Sequence, residues 1–217
     1  MPTLNPQGYS HGEEIANAVT HGLGTAAAIV ALTLMIVKAM PTLSGWDLAG
    51  IIIYGSSMIA LFLSSTLYHS ITNQHAKAIL KRFDHSTIYL LIAGTYTPLL
   101  MIALHSHMAK ALLVVVWSLA LAGVVFKIFF VHKFKRASLI TYLVMGWLSV
   151  IVVYELYQAL SPAGFRLLIA GGLSYTLGAA FYAAKRYRYT HAIWHLFVLG
   201  GAACHCVVIA AYVIPSA

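Results

Sequence analysis

Long apolar stretches separated by short polar connections make up almost the whole chain. Stretches such as IVALTLMIV and ALLVVVWSLALAGVVF are apolar on every side and lack the two-residue alternation of a β-barrel strand. A helix needs about 20 residues to cross the hydrocarbon core of a bilayer. We predict seven transmembrane helices, at residues 15–37, 47–69, 84–104, 109–130, 138–160, 165–184 and 191–213.

Composition supports a membrane protein, because 61% of the residues are hydrophobic and 8% are charged, against about 25% charged in a typical soluble domain. Connections such as ITNQHAKAILKR are too short to hold a soluble domain. We therefore predict an all-α integral membrane protein in which residues 1–217 form a single seven-transmembrane domain with a short polar tail, 1–14. The tail carries no Lys or Arg, so we expect no cleavable signal peptide and a first span that is retained.

The basic residues that give the chain its net charge of +8 lie mainly in the loops and are not clustered into a patch for nucleic acid. If the spans alternate in direction, one side of the membrane holds Lys77, Lys81, Arg82, Lys127, Lys133, Lys135, Arg136, Lys185, Arg186 and Arg188. The opposite side holds Lys38, Lys110 and Arg166. Under the positive-inside rule, this distribution predicts a cytoplasmic amino terminus and a carboxyl terminus outside.

The same alternation brings several polar side chains to one membrane depth. His69 ends the second span, Asp84 begins the third, and His191 and His195 lie one turn apart at the start of the seventh. Three imidazoles are a common ligand set for catalytic zinc, and they leave a fourth position for a water molecule. A nearby carboxylate, here Asp84, is suited to orient that water or take its proton. Ser65, one turn before His69, is suited to donate a hydrogen bond there.

Each of these residues also has a purely structural interpretation. Asp84 stands where a helix N-cap is expected, and Ser65 is able to bond to its own helix. Cys204 and Cys206 point about 200° apart on a helix, which favours buried thiols over metal ligands. His205 lies about 15 Å beyond His195 along the axis, so we expect it in a polar network or a cavity wall. We expect interfacial roles for five other histidines, His75, His85, His105, His107 and His132.

Motifs on four spans carry a resemblance to a known family. They are Glu14-x-x-Asn17-x-x-x-His21 on the first span, Ser65-x-x-x-His69 on the second, Asp84-His85 followed by STIYLLIAGTYTP on the third, and His191-x-x-x-His195 on the seventh. In this order the chain resembles the bacterial hemolysin III proteins over nearly its whole length. Through them it is similar to the progestin and adipoQ receptor superfamily, which includes the adiponectin receptors.

The resemblance implies a Zn²⁺ ion held by His69, His191 and His195, with Asp84 contacting its water and Ser65 nearby. Related receptors and alkaline ceramidases are associated with hydrolysis of lipid amides, so we expect a zinc-dependent hydrolase of lipid amide or ester bonds. Its partners would be membrane lipids, with a substrate that enters from the bilayer, and the resemblance implies a location in a bacterial inner membrane.

Two other functions stay open at this stage. One is a hemolysin III-type channel, pore-former or receptor-like protein in which zinc is structural. The name of the family associates this alternative with cytolysis. Haem ligation is the other, although two histidines on one helix turn cannot bind opposite faces of the macrocycle.

Overall fold

The computed structural model describes residues 8–131, 133–184 and 187–216. Three residues used in the sequence analysis, His132, Lys185 and Arg186, lie outside these ranges. Within the described ranges, seven helices are long and apolar enough to cross a membrane. The predicted seven-helix bundle is thereby confirmed, whereas the side of the membrane on which each terminus lies stays a prediction.

Most spans are single α-helices, but three contain a change of helix type. The α-helices are α1 His11–Ala39, α2 Gly45–Ser70, α3 Gln74–Pro98, α4 His107–Phe130, α5 Lys135–Trp147, α6 Val153–Ala159, α7 Pro162–Ala183 and α8 Thr190–Val208. A 3-10 segment, Leu148–Val152, joins α5 to α6 within the fifth span. Two π-helical turns, Leu99–Ala103 and Ile209–Val213, extend α3 and α8. The first of these directly follows Pro98, and proline interrupts regular α-helical hydrogen bonding because it removes a backbone donor.

The start of α3 differs most from its predicted position. This helix begins at Gln74, ten residues before the predicted start at 84, and the side chain of Asn73 caps it by accepting from the backbone N–H of Ala76 at 3.0 Å. The extra turns contain Lys77, Lys81 and other polar residues, which lowered the hydropathy of this stretch below that of a span. Asp84 lies inside the helix, so its interpretation as an N-cap is wrong.

The packing order of the helices determines which side chains meet. α1 packs between α2 and α8, α2 also contacts α3, α3 contacts α4, and α7 packs against α8. Side chains from one face of α1 therefore reach both α2 and α8. The fifth span packs against α3 and α7, on the side of the bundle away from α1.

Glycines allow close contacts between helices at some positions of the bundle. A Cβ atom on Gly24 would lie 2.6 Å from Leu199 Cδ2, and one on Gly171 would lie 2.4 Å from His205. A Cβ atom on Gly172 would meet its nearest neighbour at 3.7 Å, an ordinary van der Waals distance. Close approach therefore requires glycine at 24 and 171 and does not require it at 172.

Candidate metal centre

Three imidazoles from two helices meet at one end of the bundle. One ring nitrogen from each of His69, His191 and His195 lies within 4.8 Å of the other two. Ring centroids are 5.2 Å apart for His69 and His191, 5.3 Å for His69 and His195, and 4.6 Å for His191 and His195. His69 and His195 are buried and His191 is half-buried. The residues that we expected to share a metal are therefore close enough to hold one.

The first helix determines which nitrogen carries the hydrogen on two of these rings. His69 Nδ1 lies 2.5 Å from Glu14 Oε2, and a carboxylate oxygen accepts, so Nδ1 carries the hydrogen. His195 Nδ1 lies 3.2 Å from the backbone oxygen of Asn17, which is also an acceptor. With a hydrogen on Nδ1, each neutral ring presents a lone pair on Nε2. Hydrogen bonds of this kind orient histidine ligands in many metal sites.

The free lone pairs coincide with unpaired atoms in the structure. Within the described ranges, His69 Nε2 and His195 Nε2 are buried and have no hydrogen-bond partner, and the same is true of Ser65 Oγ. Buried polar atoms are normally paired, so unpaired ones need an explanation. A cation bound by both Nε2 atoms supplies one. The donor set and its second layer of hydrogen bonds fit Zn²⁺. The unpaired Ser65 hydroxyl also shows that this side chain does not bond to its own helix.

Lys77 is a member of the site that the sequence analysis missed. Its ammonium group lies 2.5 Å from Glu14 Oε1, and the side chain is buried. Glu14 thus receives a hydrogen from His69 on one oxygen and from Lys77 on the other. The lysine had been counted only as a loop charge, because α3 was expected to begin seven residues after it.

Asp84 lies beside the three histidines without joining their ligand set. It is buried on α3, and its carboxylate accepts a hydrogen bond from His85 at 3.2 Å. Its charge acts electrostatically on His69 and His191. Among the described residues, the carboxylate does not belong to the group whose ligand atoms are close enough to share one ion.

His21 is the most unusual of the additional residues. Its ring is stacked on that of His195, with centroids 3.6 Å apart and planes 8° from parallel. It is 2% exposed, and both of its nitrogens lack a hydrogen-bond partner in the described part of the chain. His21 and Asp84 line the same cavity. The position of His21 is therefore compatible both with a second layer around a metal ion and with a place in the cavity wall.

Aromatic rings cover the histidines from the end of the bundle. The ring of Tyr9 lies 5.2 Å from that of His191, and Tyr182 lies 5.9 Å from the same imidazole. Burial raises the pKa of the Tyr9 phenol, so this group stays neutral near pH 7. Tyr68 interacts electrostatically with Asp84. The only sequence signal for Tyr9 was its place just before the first span.

A cavity of about 130 Å³ begins at Asp84 and His21, beside the histidine cluster, and extends into the bundle. Its walls come from the α3, α5, α7 and α8 helices, with one residue each from α1 and α2. Asp84 and His21 lie at one end, and His205 is part of the lining ten residues further along α8 than His195. Between them the walls are mainly apolar. The arrangement joins a polar, metal-binding end to an apolar interior.

Comparisons with known proteins agree with this architecture. A family model described as "Haemolysin-III related" matches residues 9–206. The chain is 55% identical to a Hemolysin-3 homolog of Bacillus subtilis (strain 168) over 88% of this chain and 90% of that protein. It is 46% identical to Hemolysin-3 of Bacillus cereus, over 94% of each chain. It is 32% identical to the human Monocyte to macrophage differentiation factor, over 89% of this chain and 81% of that one.

These matches confirm the resemblance seen in the four motifs, including the wider relation to a human protein. With seven apolar helices, they also agree with the expected location in a bacterial cell membrane. The chain is a multi-pass membrane protein and belongs to the haemolysin-III-related family.

Proposed function

We propose that this protein is a zinc-dependent intramembrane hydrolase of lipid amide or ester bonds. The observation that carries the proposal is a cluster of three histidines with two unpaired Nε2 atoms, close to a buried carboxylate that lines an apolar cavity. A metal held only for stability is usually surrounded by four protein ligands. Three ligands next to a cavity leave room for a reacting molecule.

In this proposal His69, His191 and His195 hold the ion through ring nitrogens. When bound, zinc polarises a carbonyl group and increases the acidity of water. Asp84 accepts a proton from the attacking water and delivers it to the leaving nitrogen or oxygen as the acyl bond breaks. Ser65 donates a hydrogen bond to the oxygen of the acyl group. The cavity binds the acyl chain, which enters from the bilayer and excludes bulk water from the reacting bond.

Elemental analysis of the purified protein tests the metal centre. We expect about one zinc per chain in the wild type and its loss in His69→Ala, because the variant keeps only two of three ligands. His75→Ala is the matched control, since this exposed histidine lies on α3 and takes no part in the cluster. Equal zinc content in the wild type and His69→Ala would contradict the assignment.

Turnover of a ceramide and of a lipid ester in detergent micelles tests the reaction. His191→Ala should abolish turnover with unchanged membrane insertion. Asp84→Asn should keep its zinc and lose turnover, because an amide cannot accept the proton. A His191→Ala protein with full activity would count against the hydrolase.

The rival function, a channel or receptor-like protein with structural zinc, makes a different prediction for the same preparation. Chelation would then lower thermal stability without affecting any hydrolysis, and ion flux into liposomes would depend on the protein.

A further inference from the structure

The inner end of the cavity contains an imidazole that the proposed chemistry does not use. His205 lines the cavity from α8, ten residues after His195, which is about 15 Å along a helix axis. At this distance it takes no part in binding the metal. It is nevertheless a polar ring among apolar walls, where uncompensated polarity is costly.

The hydrogen bond made by His205 shows which nitrogen carries its hydrogen. Nε2 lies 3.1 Å from the backbone oxygen of Leu168 on α7, and a carbonyl oxygen only accepts. The hydrogen is therefore on Nε2, and the neutral ring has a lone pair on Nδ1. Nδ1 is buried and has no hydrogen-bond partner among the residues that the structure describes.

Packing holds this ring in place, so the lone pair keeps its direction. The ring lies against Gly171, where an added Cβ atom would be 2.4 Å from Cδ2 and Nε2 of His205. Tyr175 packs beside it with ring centroids 5.5 Å apart. If the imidazole rotated so that Nδ1 could pair with another group, it would lose the hydrogen bond to the Leu168 oxygen.

Three other polar side chains of the cavity wall, Thr95, Thr176 and Tyr96, already have partners. Thr95 and Thr176 donate to backbone oxygens of their own helices, each at 2.8 Å, and Thr176 also accepts from the indole of Trp147 at 3.0 Å. The Tyr96 hydroxyl donates to the Gly146 oxygen at 2.8 Å and accepts from the Ser149 N–H at 2.7 Å. His205 differs from these three side chains because its Nδ1 is an acceptor without a partner in the described part of the chain.

An acceptor in an apolar cavity binds a group that donates. We propose that His205 Nδ1 accepts a hydrogen bond from a hydroxyl group carried partway along a lipid chain, and that the cavity thereby selects hydroxylated chains. This inference rests on the proposed function, in which the lipid head lies at the metal end and its chain in the cavity. An unsubstituted chain would leave Nδ1 unpaired.

Binding of three fatty acids to the purified, zinc-loaded protein tests the selection. The ligands are stearate, stearate with a hydroxyl near the middle of the chain, and an isomer with the hydroxyl beside the carboxylate. Each is measured by displacement of a fluorescent fatty acid. The wild type should favour the mid-chain isomer over the other two by about two- to tenfold, the ratio that one net hydrogen bond supplies. This comparison depends on no variant.

Variants at 205 then test whether this ring causes the preference. His205→Phe keeps an aromatic side chain without an acceptor and should bind all three fatty acids equally. His205→Gln keeps an oxygen acceptor and should retain part of the preference. Cys204→Ala is the matched control on the same turn, and it should behave as the wild type. Zinc content and thermal unfolding check that each variant is folded.

Several results would overturn the inference. Equal binding of the three fatty acids by the wild type would show that Nδ1 pairs with water only. A preference that survives in His205→Phe, or no binding of any fatty acid, would also reject it. Ceramide turnover on the same preparation separates the two proposals. Turnover without a chain preference rejects this inference alone, whereas a chain preference without turnover rejects the hydrolase alone.

Discussion

Replacement of Glu14 by glutamine tests how the first helix controls the metal centre. The Glu14 carboxylate has one oxygen 2.5 Å from His69 Nδ1 and the other 2.5 Å from Lys77 Nζ. Both neighbours donate to it. Glutamine keeps the shape of the side chain but has only one oxygen, and its NH₂ group donates. One of the two neighbours must therefore face a donor.

The buried ammonium of Lys77 should take the remaining oxygen, because an unpaired charge is the more costly of the two. The amide NH₂ then faces His69 Nδ1, which can pair with it only as an acceptor. This moves the hydrogen of His69 to Nε2, the atom that is free to bind the metal in the wild type. Loss of such a supporting bond typically lowers metal affinity about 10- to 100-fold, or by about 1.4 to 2.7 kcal/mol.

Zinc affinity of the purified protein, measured by competition with a fluorescent chelator, provides the assay. Glu13→Gln is the matched control. Glu13 is also acidic and buried, but its hydrogen bonds within the described ranges go to Ser10 and to the Tyr189 backbone and not to a histidine. The control should keep wild-type zinc affinity and lose some thermal stability. A folded Glu14→Gln protein with wild-type zinc affinity would refute the reasoning about tautomers.

Further predictions concern packing, access to the metal and removal of the metal. Gly171→Ala should lower the free energy of unfolding by about 1–3 kcal/mol, because the added methyl group overpacks against His205. Gly172→Ala, where there is room for a Cβ atom, should be neutral or slightly stabilising. Thermal unfolding of both variants measures the difference. Tyr9→Ala should release zinc to a chelator faster than the wild type, because the Tyr9 ring covers the histidines. Tyr187→Ala, at an exposed position, should release zinc at the wild-type rate. Equal release rates for Tyr9→Ala and the wild type would contradict a covering role. Chelation of the wild type should lower its unfolding temperature, since a ligand that binds only the folded state stabilises it.

The pattern of the chain was sufficient to predict the spans and the three candidate ligands. A transmembrane helix must satisfy its backbone hydrogen bonds internally and face lipid with apolar side chains, so a local stretch of apolar residues is enough to predict it. Alternating directions then placed His69 and the pair at 191 and 195 at one end. The structure brings these residues together within 4.8 Å. Helix ends were harder, because the first turns of α3 carry the polar residues of a loop.

The partners of those ligands depended on tertiary structure. The sequence marked Glu14 as a polar residue at the start of a span, but no local pattern shows that α1 packs between α2 and α8. That neighbourhood decides that Glu14 meets His69 and Lys77, and that the Asn17 backbone meets His195.

The cavity has the same origin, since its walls come from helices that are distant in the sequence. The sequence by itself thus determined the number of membrane helices and which imidazoles share an end, because both follow from local hydropathy and helix direction. Tertiary structure alone decided the protonation of the ligands, the cover provided by Tyr9 and the depth of His205 in the cavity, because these depend on which helix faces pack together.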